Sequence, residues 1–148
     1  MEKIQMSEEQ KQKLVALFKK RANLLIPFLI IGISGFIPAV ITFFGESGTY
    51  YYSSPTIVFA ILGIVFWSQS TEAIKKINNS DYQAYIAECK KVTTFGSAVV
   101  DNNEILSKKV KKPTTKIEIL GSAKLLHPGE EIAIIQVGKE FWASAFNE

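Results

Sequence analysis

Two long stretches without charge constrain this chain more than any other feature. Residues 22–45 form 24 consecutive positions free of Asp, Glu, Lys and Arg, and residues 47–71 form another 25, with only Glu46 between them. Each exceeds the ~20 residues that an α-helix needs to cross a bilayer core. A chain of 148 residues would ordinarily make one soluble domain, but 47% hydrophobic residues and a mean hydropathy of +0.14, gathered into these runs, point instead to a membrane protein. The expectation is a transmembrane helical hairpin over residues 22–77, with spans at about 22–45 and 50–71.

Two competitors lose to this reading. A cleaved signal peptide would need a short apolar core of about 7–15 residues and a small-residue cleavage site, whereas this run is longer and follows a charged lead of 21 residues. A buried hairpin in a soluble protein would not place Tyr50, Tyr51 and Tyr52 at one end of the apolar segment and Trp67 near the other, where amphipathic rings favour the headgroup region. Pro55 opens the second span, where a missing N–H costs little. Pro27 and Pro38 are expected to kink the first.

Charge sets the orientation. Residues 1–21 carry a net +3, residues 72–91 a net +1 and residues 92–148 a net of zero. Lys19-Lys20-Arg21 precedes the first span and Lys75-Lys76 follows the second, so both termini are expected in the cytoplasm and the loop outside, in an inner (plasma) membrane. The same basic groups are candidates for contact with anionic lipid headgroups, as are Lys108, Lys109, Lys111 and Lys112 in the tail. The bland alternatives are a topology signal at the spans and a lysine-guarded strand edge in the tail.

Small residues form a ridge on the spans: Gly32, Ser34, Gly35 and Ala39 on the first, Ala60 and Gly63 on the second. Apolar burial does not drive helix association in lipid, so such ridges mark close backbone contact. They join either copies of the chain in a homo-oligomer or the two helices of one hairpin.

Ser7-Glu8-Glu9-Gln10 has the form of a capping box, and Leu14, Leu17, Phe18 and Leu25 continue a helical stripe, which predicts a lead helix from Glu8 into the membrane. Ser80-Asp81-Tyr82-Gln83 repeats that form, and Tyr82, Tyr85, Ile86 and Cys89 fall at i, i+3, i+4 and i+7. Residues 78–91 therefore read as a connector ending in a short amphipathic helix over 81–91, with Cys89 as a buried structural thiol on its apolar stripe.

After residue 91 the pattern becomes short β-rich runs at 92–100, 104–110, 115–120, 123–126, 131–137 and 141–146. Asp101-Asn102-Asn103, His127-Pro128-Gly129-Glu130 and Gly138-Lys139 supply the turns. Residues 92–148 are thus expected to form a small β-barrel of OB-like or SH3-like type, and the fold class as a whole is an α+β membrane protein. Gly96-Ser97-Ala98, and Pro128-Gly129 followed by Ile132, Ile134, Val137 and Gly138, stand in a layout of apolar spans followed by a small β-barrel. On these residues the chain resembles the short membrane proteins of the NfeD type. It implies an OB-like tail that serves protein association; the glycine-rich central stretch of that type is absent.

No catalytic fingerprint is present. His127 stands in a turn without triad partners, one Cys and one His leave too few soft ligands for a zinc site, and neither span carries an ionisable group of the kind transporters use. The chain is read as a non-enzyme without cofactor, metal or nucleic-acid partner: a membrane-anchored assembly or accessory protein whose cytoplasmic β-module binds another protein or a second copy. The alternative is an oligomeric pore-forming effector gated by a ligand-sensing β-module. On the final strand Phe141, Ala143 and Ala145 are assigned to the core, which leaves Trp142 and Phe146 as surface anchors for a partner; the competing reading packs Trp142 on the 81–91 helix.

Overall fold

A computed structural model describes residues 1–44, 54–94, 96–102, 106 and 113–145, with side chains described at all of these except 36, 38–44 and 54–56. The fold is mixed α+β. In chain order it comprises β1 (Glu2–Ile4), α1 (Glu8–Ala22), α2 (Leu25–Phe44), α3 (Ser54–Asn78), β2 (Gln83–Glu88), β3 (Lys91–Val92), β4 (Ser97–Asp101), β5 (Thr114–Ile119), a 3-10 turn at Ala123–Leu125, β6 (Glu131–Val137) and β7 (Glu140–Ser144). It divides into two compact units, Met1–Leu17 with Lys75–Glu148, and Phe18–Ile74.

The first unit is a seven-stranded sheet, open in its hydrogen-bonded order β1-β2-β6-β7-β5-β4-β3. All neighbours are antiparallel except β5 and β7, which run parallel at Glu118↔Trp142 and Ile119↔Ala143. Only Cys89 and Lys90 separate β2 from β3, so the strand beside one edge of the order continues directly into the strand at the other edge. Local chemistry holds that bend. Lys90 forms ion pairs with Glu88 at 3.3 Å and Asp101 at 3.4 Å, and the Cys89 backbone donates to the Glu130 carbonyl and accepts from the Gly129 N–H.

One face of the sheet encloses the core of Tyr85, Cys89, Ala98, Val100, Ile117, Leu126, Ile132, Ile134 and Ala143, with Phe141 and Ala145 packed at its margin. The Phe141 side of the last strand thus fills the core, as its small alanines suggested. The opposite face is buried too: Ala84, Ala133, Ile135, Val137, Trp142 and Ser144 are all covered. Leu14 and Leu17 of α1 line a shallow cleft there with Ala133 and Ile135. Full burial of a side chain such as Ile134 contributes about 1.5–3 kcal/mol.

Two-sided burial explains the main departure from the sequence reading. Residues 83–88 form a strand and not the amphipathic helix expected over 81–91. The strand shows no polar alternation because Ala84 faces one buried side and Tyr85 the other, so helical spacing fits it by coincidence. Ser80 is the C-terminal cap of α3 instead of the start of a new helix. It adopts φ +59°, its N–H reaches the Ile77 carbonyl at 3.0 Å and the Asp81 N–H reaches that of Lys76 at 2.8 Å, the paired bonds of a Schellman motif. Residues 123–126, expected as a strand, hold the 3-10 turn.

Other local expectations agree with the structure. The Ser7 N–H donates to Gln10 Oε1 at 2.8 Å and the Gln10 N–H to Ser7 Oγ at 3.2 Å, a closed capping box at the start of α1. Val137 pairs with Glu140 across the two-residue Gly138-Lys139 connection, with Gly138 at φ +63°. His127–Glu130 closes as a turn with Gly129 at φ +88° after Pro128.

In the second unit α1 does not run on continuously. It ends at Ala22, because Pro27 lacks the N–H that would bond Asn23, and the Asn23 carbonyl accepts from Ile26 at 3.4 Å instead. Pro27 therefore lies in the first turn of α2, and α2 continues as helix past Pro38. By length and composition one helical stretch among the described residues, Ile57–Asn78, qualifies as a membrane span, where the sequence suggested two; most side chains in the C-terminal half of α2 lie outside the described set.

Candidate functional site

The residues singled out in the spans meet inside one chain. A Cβ built on Gly32 would fall 2.6 Å from Ala60 Cβ, and one on Gly63 would fall 2.8 Å from Phe28 Cβ. Phe28 stacks on Phe59 with ring centroids 5.9 Å apart and meets Phe66 edge-on at 5.8 Å. Gly63 of α3 meets Leu25 and Phe28 of α2, and Ala60, earlier on α3, meets Gly32, later on α2, so the two helices pack antiparallel. Of the two readings of the small-residue ridge, Gly32, Ala60 and Gly63 realise packing within a hairpin. Gly35 is half-buried, and the Ala39 side chain lies outside the described set.

The outward faces carry large aliphatic side chains. Ile26, Ile30, Ile33 and Ile37 on α2 and Ile57, Ile61 and Ile64 on α3 are exposed, Ile26 and Ile30 each by 63%. Small residues pack inside and large aliphatics face out.

The base of the hairpin holds a feature the sequence reading assigned differently. Arg21, expected among the headgroup contacts, is only 9% exposed. Its guanidinium donates to Gln69 Oε1 at 3.1 Å, to Ser70 Oγ at 3.3 Å and to the Phe66 carbonyl at 3.5 Å, and sits 4.5 Å from the Phe66 ring centroid. Five donors on a flat cation suit this polar and aromatic pocket, which a lysine could not fill. The polar run Ser68-Gln69-Ser70 at the end of the charge-free stretch was the available signal, since a buried polar group there requires a partner.

The other basic candidates divide. Lys19, Lys20 and Lys75 are exposed. Lys76 is half-buried, with its Nζ only 2.9 Å from where a Gly138 Cβ would lie, so it is turned to the β6–β7 connection and not to a lipid surface. Lys108, Lys109, Lys111 and Lys112 lie outside the described residues, as do Tyr50–52 and Phe146. Trp142 is 3% exposed on the second buried face of β7, so it is not a surface anchor: its neighbours on that face are covered, and the helix once considered for it is the strand β2.

Cys89 is fully buried, and burial pushes its thiol pKa up, which suits a structural residue and not a nucleophile. His127 is exposed in its turn. Among the described residues no group of three or more His, Cys, Asp or Glu is placed to hold a metal ion. The surface of β4 and β5 opposite the core presents Ser97, Val99, Asp101, Thr114, Lys116 and Glu118, a face of mixed charge without an aromatic ring among its described residues. Comparison with protein-family models, with curated proteins and with solved structures finds no match to this chain.

Proposed function

We propose that the chain is an integral membrane protein in which α2 and α3 form a hairpin that anchors a cytoplasmic, OB-like association module. The observation that carries the membrane part is the inverted packing: glycine and alanine between the helices and exposed isoleucines outside, which water would not tolerate and lipid requires.

The module reading rests on strand order. If β2 and β3 are counted as one bent strand, they neighbour both β4 and β6, and the sequence β2/β3-β4-β5-β7-β6 returns to its start as a curled five-stranded barrel. The outer face of β4 and β5 carries charges of both signs and no described aromatic platform, which favours a protein partner over single-stranded nucleic acid. The protein is then an assembly or accessory subunit without a reaction of its own.

Capture of partners by the full chain from native membranes tests this, with the charge-reversed variant Lys116→Glu/Glu118→Lys as control. The reading expects a partner retained by the wild type and lost by the reversal. An identical set of bound proteins for both would remove the β4–β5 face from the account.

A further inference from the structure

The last strand is shorter than the strand it pairs with. β7 ends at Ser144, opposite Ala133, whereas β6 begins two residues further out, at Glu131. In the same register Ala145 would fall opposite Ile132, and position 146 opposite Glu131. The turn fixes which pairs are bonded. Val137 and Glu140 flank a two-residue connection and form a hydrogen-bonded pair, which alternate pairs repeat down the ladder: 135 with 142, 133 with 144 and, next in order, 131 with 146. Glu131 therefore turns its backbone N–H and C=O toward position 146.

Alternation along the strand selects the face. Phe141, Ala143 and Ala145 belong to the barrel core and its margin, and Trp142 and Ser144 are covered on the opposite side. Position 146 continues the second set. That side holds the cleft of the first unit, where Met6, Leu14 and Leu17 face Ala133, Ser144 and Ala145. Ala133 stands diagonally across the ladder from position 146, within reach of an aromatic ring. Of Phe146-Asn147-Glu148, Phe146 alone is apolar.

We propose that the chain keeps this register through Phe146 and that the Phe146 ring seats in the cleft, latching the first turns of α1 onto the sheet. The place where the described chain ends selects the occupant. Ala145 already lines the cleft, and one further residue, at ~3.4 Å of extended chain, brings the ring there. A ring from a second copy or from a partner would have to compete with one tethered beside the site, at a high effective concentration. Phe146 then belongs to the packing of the module and not to a partner surface, where the sequence reading put it.

The test uses the full chain in detergent with one reporter thiol in the cleft, Met6→Cys in a Cys89→Ala background. Phe146→Ala should raise the rate of maleimide labelling at position 6 by about tenfold, because loss of the ring opens the latch. Phe146→Leu keeps an apolar side chain, should hold the wild-type urea midpoint more closely and should label faster by only about two- to threefold. Where Phe146→Ala unfolds the module, the Phe146→Leu rate decides. Asn147→Ala should change nothing, since alternation sends that side chain to the other face. An unchanged rate in the folded Phe146 variants, or an equal rise in Asn147→Ala, overturns the latch. Protection of position 6 that falls away as the protein is diluted gives the cleft to a second copy's tail, and that also overturns the proposal.

Discussion

The guanidinium of Arg21 lies 4.5 Å from the centroid of the Phe66 ring and donates to Ser70 Oγ, tying the end of α1 to the last turns of α3's apolar stretch. Arg21→Ala leaves Ser70, fully buried, and Gln69 without that donor. The loss should be about 2–3 kcal/mol, the scale for a hydrogen bond to a charged group plus the partner left behind. Arg21→Lys should recover less than half of it, because a point charge cannot bond two acceptors and cover a ring together. Thermal unfolding in detergent measures both; equal stability of Arg21→Ala and wild type would remove this contact from the account.

The hairpin interface predicts compensation. Gly32→Ala places a methyl 2.6 Å from Ala60 Cβ and should cost about 1–3 kcal/mol, the range for overpacking. Adding Ala60→Gly should restore most of the stability, less the helix-propensity cost of a second glycine. Detergent-solubilised mass should stay constant across the series. A fall in mass with no change in melting temperature would return Gly32 to an interface between copies.

Trp142→Ala should unfold or strongly loosen the sheet instead of leaving it intact, because the ring is buried beside Ile135 and its removal costs about 3–5 kcal/mol. Circular dichroism of the full chain during a urea titration gives the answer. An unchanged midpoint would mean that the second face of β7 is not packed.

Ser80 offers a gain. It holds φ +59°, a region where a Cβ costs about 1 kcal/mol, and the Schellman bonds it serves need only backbone. Ser80→Gly should stabilise by up to ~1 kcal/mol and Ser80→Val should destabilise, both read by the urea midpoint.

Cys89 links burial to pH. Its folded pKa is raised by desolvation, so the unfolded chain ionises first as pH rises. The stability this contributes is fully present below the unfolded value of ~8.5 and is lost as pH climbs from there through the folded value. Between pH 7.5 and 9.5 the wild type should therefore lose more stability than Cys89→Ala, and a maleimide should label Cys89 only after denaturation.

What was legible in the sequence was whatever short-range chemistry decides. The Ser7–Gln10 capping box, the Gly138-Lys139 turn and the strand over 131–137 each follow from residues a few positions apart, and the structure agrees at each. What depended on long-range packing was not legible. Residues 83–88 take strand pairing from β6 and β1, more than forty residues away on either side, and their two buried faces erase the alternation that would have announced a strand. The same hidden second face covers Trp142. Arg21 looked like part of a basic flank with Lys19 and Lys20, and only the Gln69 and Ser70 side chains, 48 and 49 residues later, turn it inward.

The central claim is that α2 and α3 cross a membrane as a hairpin with both termini on the cytoplasmic side. Single cysteines at Ser47 and at Asn147, each in a Cys89→Ala background, exposed to an impermeant thiol reagent in intact cells, test it most directly. The account predicts labelling at position 47 and none at 147 until the membrane is permeabilised. Labelling at 147 in intact cells, or equal labelling at both positions with the protein recovered in the soluble fraction, would contradict it.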